Sequence, residues 1–237
     1  MSYDYHDISR MIDHSLLTPT LTGPDLAAGC RLALAYEVAS VCMLPYYLRR
    51  GAEMLRGSGV KASTTIGFPH GGHTTSVKRA EAQQAIADGC EELDMVVNIS
   101  RVLSGEWDAV RKEIAAVIEV AHDAGQIVKV IFENCYLQDE HKILLCEICG
   151  ELKADWVKTS TGYGTGGATI PDLKLMRQHS PSHVLVKAAG GIRDLDTLLE
   201  MRSLGVSRVG ASRTQEMLED CRLRLGLEPL HVPTELM

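Results

Sequence analysis

The chain has no apolar run approaching the roughly 20 residues that a membrane-spanning helix needs, so its 45% hydrophobic content is available for a globular core. It also lacks an excess of positive charge. Lys and Arg number 24 against 31 Asp and Glu, the formal charge is −7 and the pI is near 5.7. That balance argues against a broad nucleic-acid or anionic-membrane surface, so any anion site must be local. No Pro/Gly/Ser-rich linker and no low-complexity segment divides the sequence, which suits one domain over residues 1–237. The polar stretch Met1–Arg10 has no signal-peptide core, so a cytoplasmic location and reduced thiols at the seven cysteines are expected. Cys146-Glu147-Ile148-Cys149 has redox spacing but lies in a helix-like stretch, Gln138 to Leu152, and no second pair completes a zinc site. Both cysteines are read as core. His70 and His73 flank Gly71-Gly72 without a third ligand and are read as a polar loop. No metal site is expected at either motif.

Short apolar runs alternate with helical patterns along the chain. Strands are expected near Met11–His14, Ser40–Met43, Lys61–Gly67, Leu93–Val97, Ile127–Glu133, Trp156–Thr159, His183–Lys187 and Ser207–Gly210. Between Trp107 and Ala121, the residues Val110, Ile114, Val117, Ile118 and Ala121 form one apolar stripe at helical spacing. Thr75–Asp88 and Asp194–Leu204 read as helices too, with Leu198, Leu199 and Met201 as core. Thr22-Gly23-Pro24-Asp25 marks a helix start capped by Thr22. Lys78-Arg79 and Arg49-Arg50 read as solvated helix faces. Eight strands alternating with helices imply parallel crossovers and a (β/α)8 TIM barrel with a short N-terminal extension. The rival is an open doubly wound sheet, whose dinucleotide form is weakened because no Gly-x-Gly-x-x-Gly follows the first strand.

Polar residues favour the barrel. Asp13, Asp94, Glu133, Lys158 and Lys187 all fall at or near the C-terminal part of an expected strand, where barrels gather their chemistry. A lysine on a buried strand is costly unless its charge is paired, shifted or used. Lys158 is the candidate nucleophile, for a Schiff base with a carbonyl substrate. Bringing a lysine from about 10.4 to about 7–8 costs about 3–4 kcal/mol, and Lys187 on the adjacent strand can supply much of it by like-charge repulsion. The plain alternative is that each lysine pairs with a carboxylate or binds an anion. Asp94 shuttles protons, pairs with a lysine, or does both. Lys129 is a third strand lysine, ranked below the other two and read as an ion-pair partner of Asp94 or Glu133. Gly190-Gly191-Ile192-Arg193 and Gly210-Ala211-Ser212-Arg213 follow strands seven and eight and lead into helical patterns. With Gly162, they suit a phosphate cradle of backbone N–H groups. Cys42 lies near the C-terminal end of the second strand. Alternation leaves its thiol facing either the barrel mouth, where it could trap an unsaturated aldehyde, or the helices.

Long ungapped motifs then point to a family. They include Ile12-Asp13-His14-Ser15-Leu16-Leu17, Ile66-Gly67-Phe68-Pro69, Glu92-Leu93-Asp94-Met95-Val96, Lys158-Thr159-Ser160-Thr161-Gly162, Lys187-Ala188-Ala189-Gly190-Gly191-Ile192-Arg193 and Gly210-Ala211-Ser212-Arg213-Thr214. The chain resembles the deoxyribose-phosphate aldolases, class I enzymes on a TIM barrel, over nearly its whole length. The resemblance implies a Schiff base at Lys158, tuning by Lys187 and proton transfer involving Asp94. It implies no cofactor, a sugar phosphate and acetaldehyde as the small-molecule partners, and a homodimer by family habit. The chain departs from common family residues at Thr18, Leu44 and Tyr163, and its tail, Pro233-Thr234-Glu235-Leu236-Met237, has no terminal tyrosine.

Overall fold

A computed structural model describes residues 3–232. Eight parallel strands close into a barrel in sequence order. They are β1 Ile12–Leu16, β2 Ser40–Met43, β3 Lys61–Ile66, β4 Glu92–Val96, β5 Ile127–Ile131, β6 Trp156–Lys158, β7 Leu185–Ala189 and β8 Arg208–Ala211. The helices are α1 Tyr5–Ser9, α2 Gly23–Ala35, α3 Leu48–Leu55, α4 Thr75–Ala87, α5 Ile99–Leu103, α6 Trp107–Asp123, α7 Asp139–Glu151, α8 Ile170–His179, α9 Leu195–Ser203 and α10 Thr214–Arg224. The barrel closes where β8 pairs with β1, setting Asp13 opposite Gly210. No helix among the described residues is long and apolar enough to cross a membrane. The tail residues noted above lie outside the described residues.

Strand alternation sorts the core into two layers. On β5, Val128 and Val130 join the apolar cluster under the helices, while Lys129 between them turns inward to carboxylates. On β4, Leu93 and Met95 pack outward, and Glu92 and Asp94 turn inward. The stripe of α6 is buried as its spacing requires. Thr22 and Asp25 form a reciprocal capping box at the start of α2. Cys146 and Cys149 are buried on α7, and His70 and His73 are exposed.

Two expectations need correction. Lys78 is not on a solvated face. It is fully buried on α4, with Nζ 2.9 Å from Glu113 of α6 and donating to the Val96 carbonyl at 2.7 Å. The counter-charge comes from another helix, which local spacing does not reveal. Strand β7 runs on to Ala189, so Lys187 is mid-strand rather than terminal. That places it level with Lys158, its direct neighbour in the register.

Candidate active site

The barrel interior is ionic where most such barrels are filled with branched apolar side chains. Lys158 closes β6 with Nζ 2.6 Å from Asp94. Lys187 reaches the same carboxylate at 2.7 Å and Asp13 at 2.5 Å. Lys129 lies 2.5 Å from Glu92 and 3.1 Å from both Asp13 and Asp94. Its partners therefore include Asp94 but not Glu133, whose oxygens accept from the Thr161 N–H and hydroxyl. Arg208 bonds Asp13, meets Glu92 at 3.0 Å and covers the Trp156 ring at 5.4 Å. All three lysines are at most 3% exposed.

Burial is the main cause pushing Lys158 below the ordinary lysine range. Asp94 opposes it, and the Lys187 ammonium adds to it. Like-charge repulsion is thus the second cause of depression, behind desolvation. For Lys187 and Lys129, burial acts the same way, but the facing carboxylates outweigh it and hold both above the usual value. Burial works against ionised Asp94 and Asp13, yet the surrounding cations keep both carboxyls below their ordinary range. Lys158 is the one barrel lysine biased toward its neutral form.

Above these charges opens a cavity of about 410 Å³ at the C-terminal ends of the strands. It gathers Lys158, Lys187, Asp13, Cys42, Gly162, Gly190, Gly191, Gly210 and Ser212. Asp94 and Lys129 lie beneath it and do not line it. Cys42 faces the cavity, as one of its two possible orientations required, and burial raises its thiol pKa. The glycine turns are formed as expected, with Gly190 and Gly191 at φ near +85°, a conformation that side-chain-bearing residues rarely adopt (φ 86° and 84°). The helix starts beyond them differ. One of the first N–H groups of α9 is already taken, with Asp194 accepting from Thr197 at 2.8 Å, whereas α10 has no side-chain cap. The α10 end is therefore the more open of the two to an anion. His14 of β1 anchors it, 2.8 Å from the Thr214 hydroxyl.

Three features escaped the sequence reading. Glu92 and Arg208 extend the ion lattice below the lysines, and period-two spacing to Asp94 and Gly210 was their available signal. Tyr163 crosses the cavity rim, donating from its hydroxyl to the Leu17 carbonyl at 2.6 Å and meeting the Phe68 ring edge-on at 5.5 Å. No local pattern marks that contact.

Residues 9–212 match the sequence model of the DeoC/LacD family aldolases. A curated deoxyribose-phosphate aldolase of Rhodopirellula baltica is 72% identical over 230 residues, covering 97% of this chain and 95% of the relative. One from Caldanaerobacter subterraneus is 46% identical, covering 90% and 93%. A solved deoxyribose phosphate aldolase from Aeropyrum pernix, described as tetrameric, superposes with a TM-score of 0.85 at 32% identity, covering 92% of each chain.

Proposed function

Because the chain belongs to the DeoC/LacD family of aldolases, we propose that it reversibly cleaves 2-deoxy-D-ribose 5-phosphate to acetaldehyde and D-glyceraldehyde 3-phosphate through a Schiff base on Lys158. The observation that carries this reading is that Lys158 alone among the barrel lysines is pushed toward neutrality while lining the cavity.

Neutral Lys158 Nζ attacks the C1 aldehyde of the open-chain sugar, and loss of water from the carbinolamine leaves an iminium. Removal of the C3 hydroxyl proton breaks the C2–C3 bond. The electron pair moves into the enamine, and glyceraldehyde 3-phosphate leaves. Protonation at C2 and hydrolysis release acetaldehyde and regenerate the amine. The iminium is the electron sink, so no metal or organic cofactor is required. Lys187 both tunes Lys158 and donates protons at the cavity floor. Asp94 accepts and returns protons through the two lysines it touches or through water. The phosphate sits against Gly162, Gly190, Gly191, Gly210 and Ser212, with the uncapped start of α10 behind Ser212. Lys129 and Asp13 hold Asp94 and Lys187 in place. The enzyme works as a single domain over residues 1–237, in the cytoplasm, as a homodimer.

Borohydride reduction with acetaldehyde tests the core of this reading. Peptide mapping should find a two-carbon adduct on Lys158, and loss of cleavage activity should track it. An adduct on Lys187 with Lys158 untouched would reverse the roles.

A further inference from the structure

The mechanism leaves Glu92 and Arg208 without a task, although both are largely buried beneath the reacting amine. Among the described residues, the ion-paired interior holds three carboxylates, Asp13, Glu92 and Asp94, facing four cations, Lys129, Lys158, Lys187 and Arg208. A net charge in a dry interior is costly, so the lattice is most stable with one proton fewer than full protonation. Arg208 does not give up a proton. Lys129 meets three carboxylates, Lys187 meets two, and Lys158 meets one that it shares. The proton therefore leaves Lys158.

We infer that Glu92 and Arg208 are positioning residues for the aldol reaction, which fix the charge count of the barrel floor so that Lys158 is the cation without its own counter-ion. The inference rests on Lys158 being the nucleophile. The other groups facing Lys158 do not change the count. Cys42 on β2 is a thiol whose pKa is raised by burial, β3 buries the neutral Ser63 and Thr65, and its exposed Lys61 is paired with Glu91. Glu133 beyond β5 is occupied by Thr161, and Arg193 at the rim is exposed to solvent. Lys187, whose charge Asp13 offsets, acts as a member of the count and not as a lone repelling neighbour.

The test is a set of four variants with opposite expected signs. Glu92→Gln leaves two carboxylates against four cations and should lower the pH at which Lys158 becomes reactive. Arg208→Gln leaves three against three and should raise it. Each shift is on the order of one pH unit, the size that one charge about 10 Å away gives at an effective dielectric of about 20. The double variant restores a single excess cation and should return to the wild-type position, as should Arg208→Lys. Two readouts are used: the acid limb of kcat/KM, and the pH of half-maximal borohydride trapping of acetaldehyde at Lys158. If the trapped lysine is Lys158 but the two single variants shift together, or neither shifts, the charge count is wrong. If Arg208→Gln does not fold, a double variant whose limb stays with Glu92→Gln overturns it equally. If the wild-type adduct is not on Lys158, both the proposed function and this inference fall.

Discussion

Among the described residues, two lysines are buried, paired with a single carboxylate and pushed below the ordinary lysine range. Lys78 sits between α4 and α6, 2.9 Å from Glu113, and Lys158 sits in the barrel, 2.6 Å from Asp94. For both, desolvation is the largest cause. The depression alone therefore does not mark a nucleophile. Lys78 has a carboxylate not shared with another lysine and a backbone carbonyl, and it is 0% exposed under the helices. Lys158 shares its carboxylate with two other lysines and opens onto a cavity of about 410 Å³. Under the proposed function, what separates a structural lysine from the reactive one is access and competition for the counter-ion.

The largest expected effect is Lys158→Met, which should lower turnover on the order of 10³-fold or more while the protein stays folded. Activity and thermal melting measured on the same preparation check both halves. Lys78→Met should do the opposite. It strands Glu113 without its cation, and breaking a buried pair costs about 3–5 kcal/mol of stability. The folded fraction should keep turnover within a few fold. A Lys78 variant that loses turnover without losing stability would dissolve the distinction.

His14 extends the comparison to a third buried base. Burial lowers its pKa from the usual 6.5 to about 4. The unfolded chain then binds a proton that the folded one refuses as pH falls from about 6.5 to about 4, so stability is lost across that window, by up to about 3 kcal/mol. Urea midpoints at pH 7 and pH 4.5 should differ less in His14→Gln than in wild type.

Lys187→Leu sharpens the barrel side. It removes one cation from the lattice, so Lys158 should hold its proton longer and the acid limb of kcat/KM should move to higher pH. An unmoved limb with weaker phosphate binding would make Lys187 a phosphate ligand instead. The smallest effect belongs to the rim, which Lys78 lacks altogether. Tyr163→Phe removes the bond to the Leu17 carbonyl and keeps the ring against Phe68. A hydrogen bond of about 0.5–1.5 kcal/mol should appear as a change in KM of up to about tenfold with kcat nearly constant.

Much of this was legible in the sequence, because barrel strands carry their own alternation. Val128-Lys129-Val130 reads, from that alternation alone, as two outward apolar side chains and one inward amine. The inward turn of Asp94 followed from its apolar neighbours, and the positions of Lys158 and the glycine turns from the ends of the strands and the loops after them. Local pattern fails where the partner is remote. Lys78 looked solvated because Glu113 lies on another helix, and Arg208 gained meaning only when β8 closed against β1 beside Asp13. The capped start of α9 was written as Asp194-Leu195-Asp196-Thr197, but only the structure shows the Thr197 N–H already taken by Asp194.

The central claim is that access and counter-ion competition, together, select Lys158. Borohydride trapping with limiting acetaldehyde near neutral pH, followed by quantitative mapping of Lys78, Lys158 and Lys187 in one sample, tests it most directly. The account requires nearly all of the two-carbon adduct on Lys158, with Lys78 and Lys187 unmodified in folded protein. Comparable labelling of Lys78, or labelling of Lys187 in preference to Lys158, would contradict it.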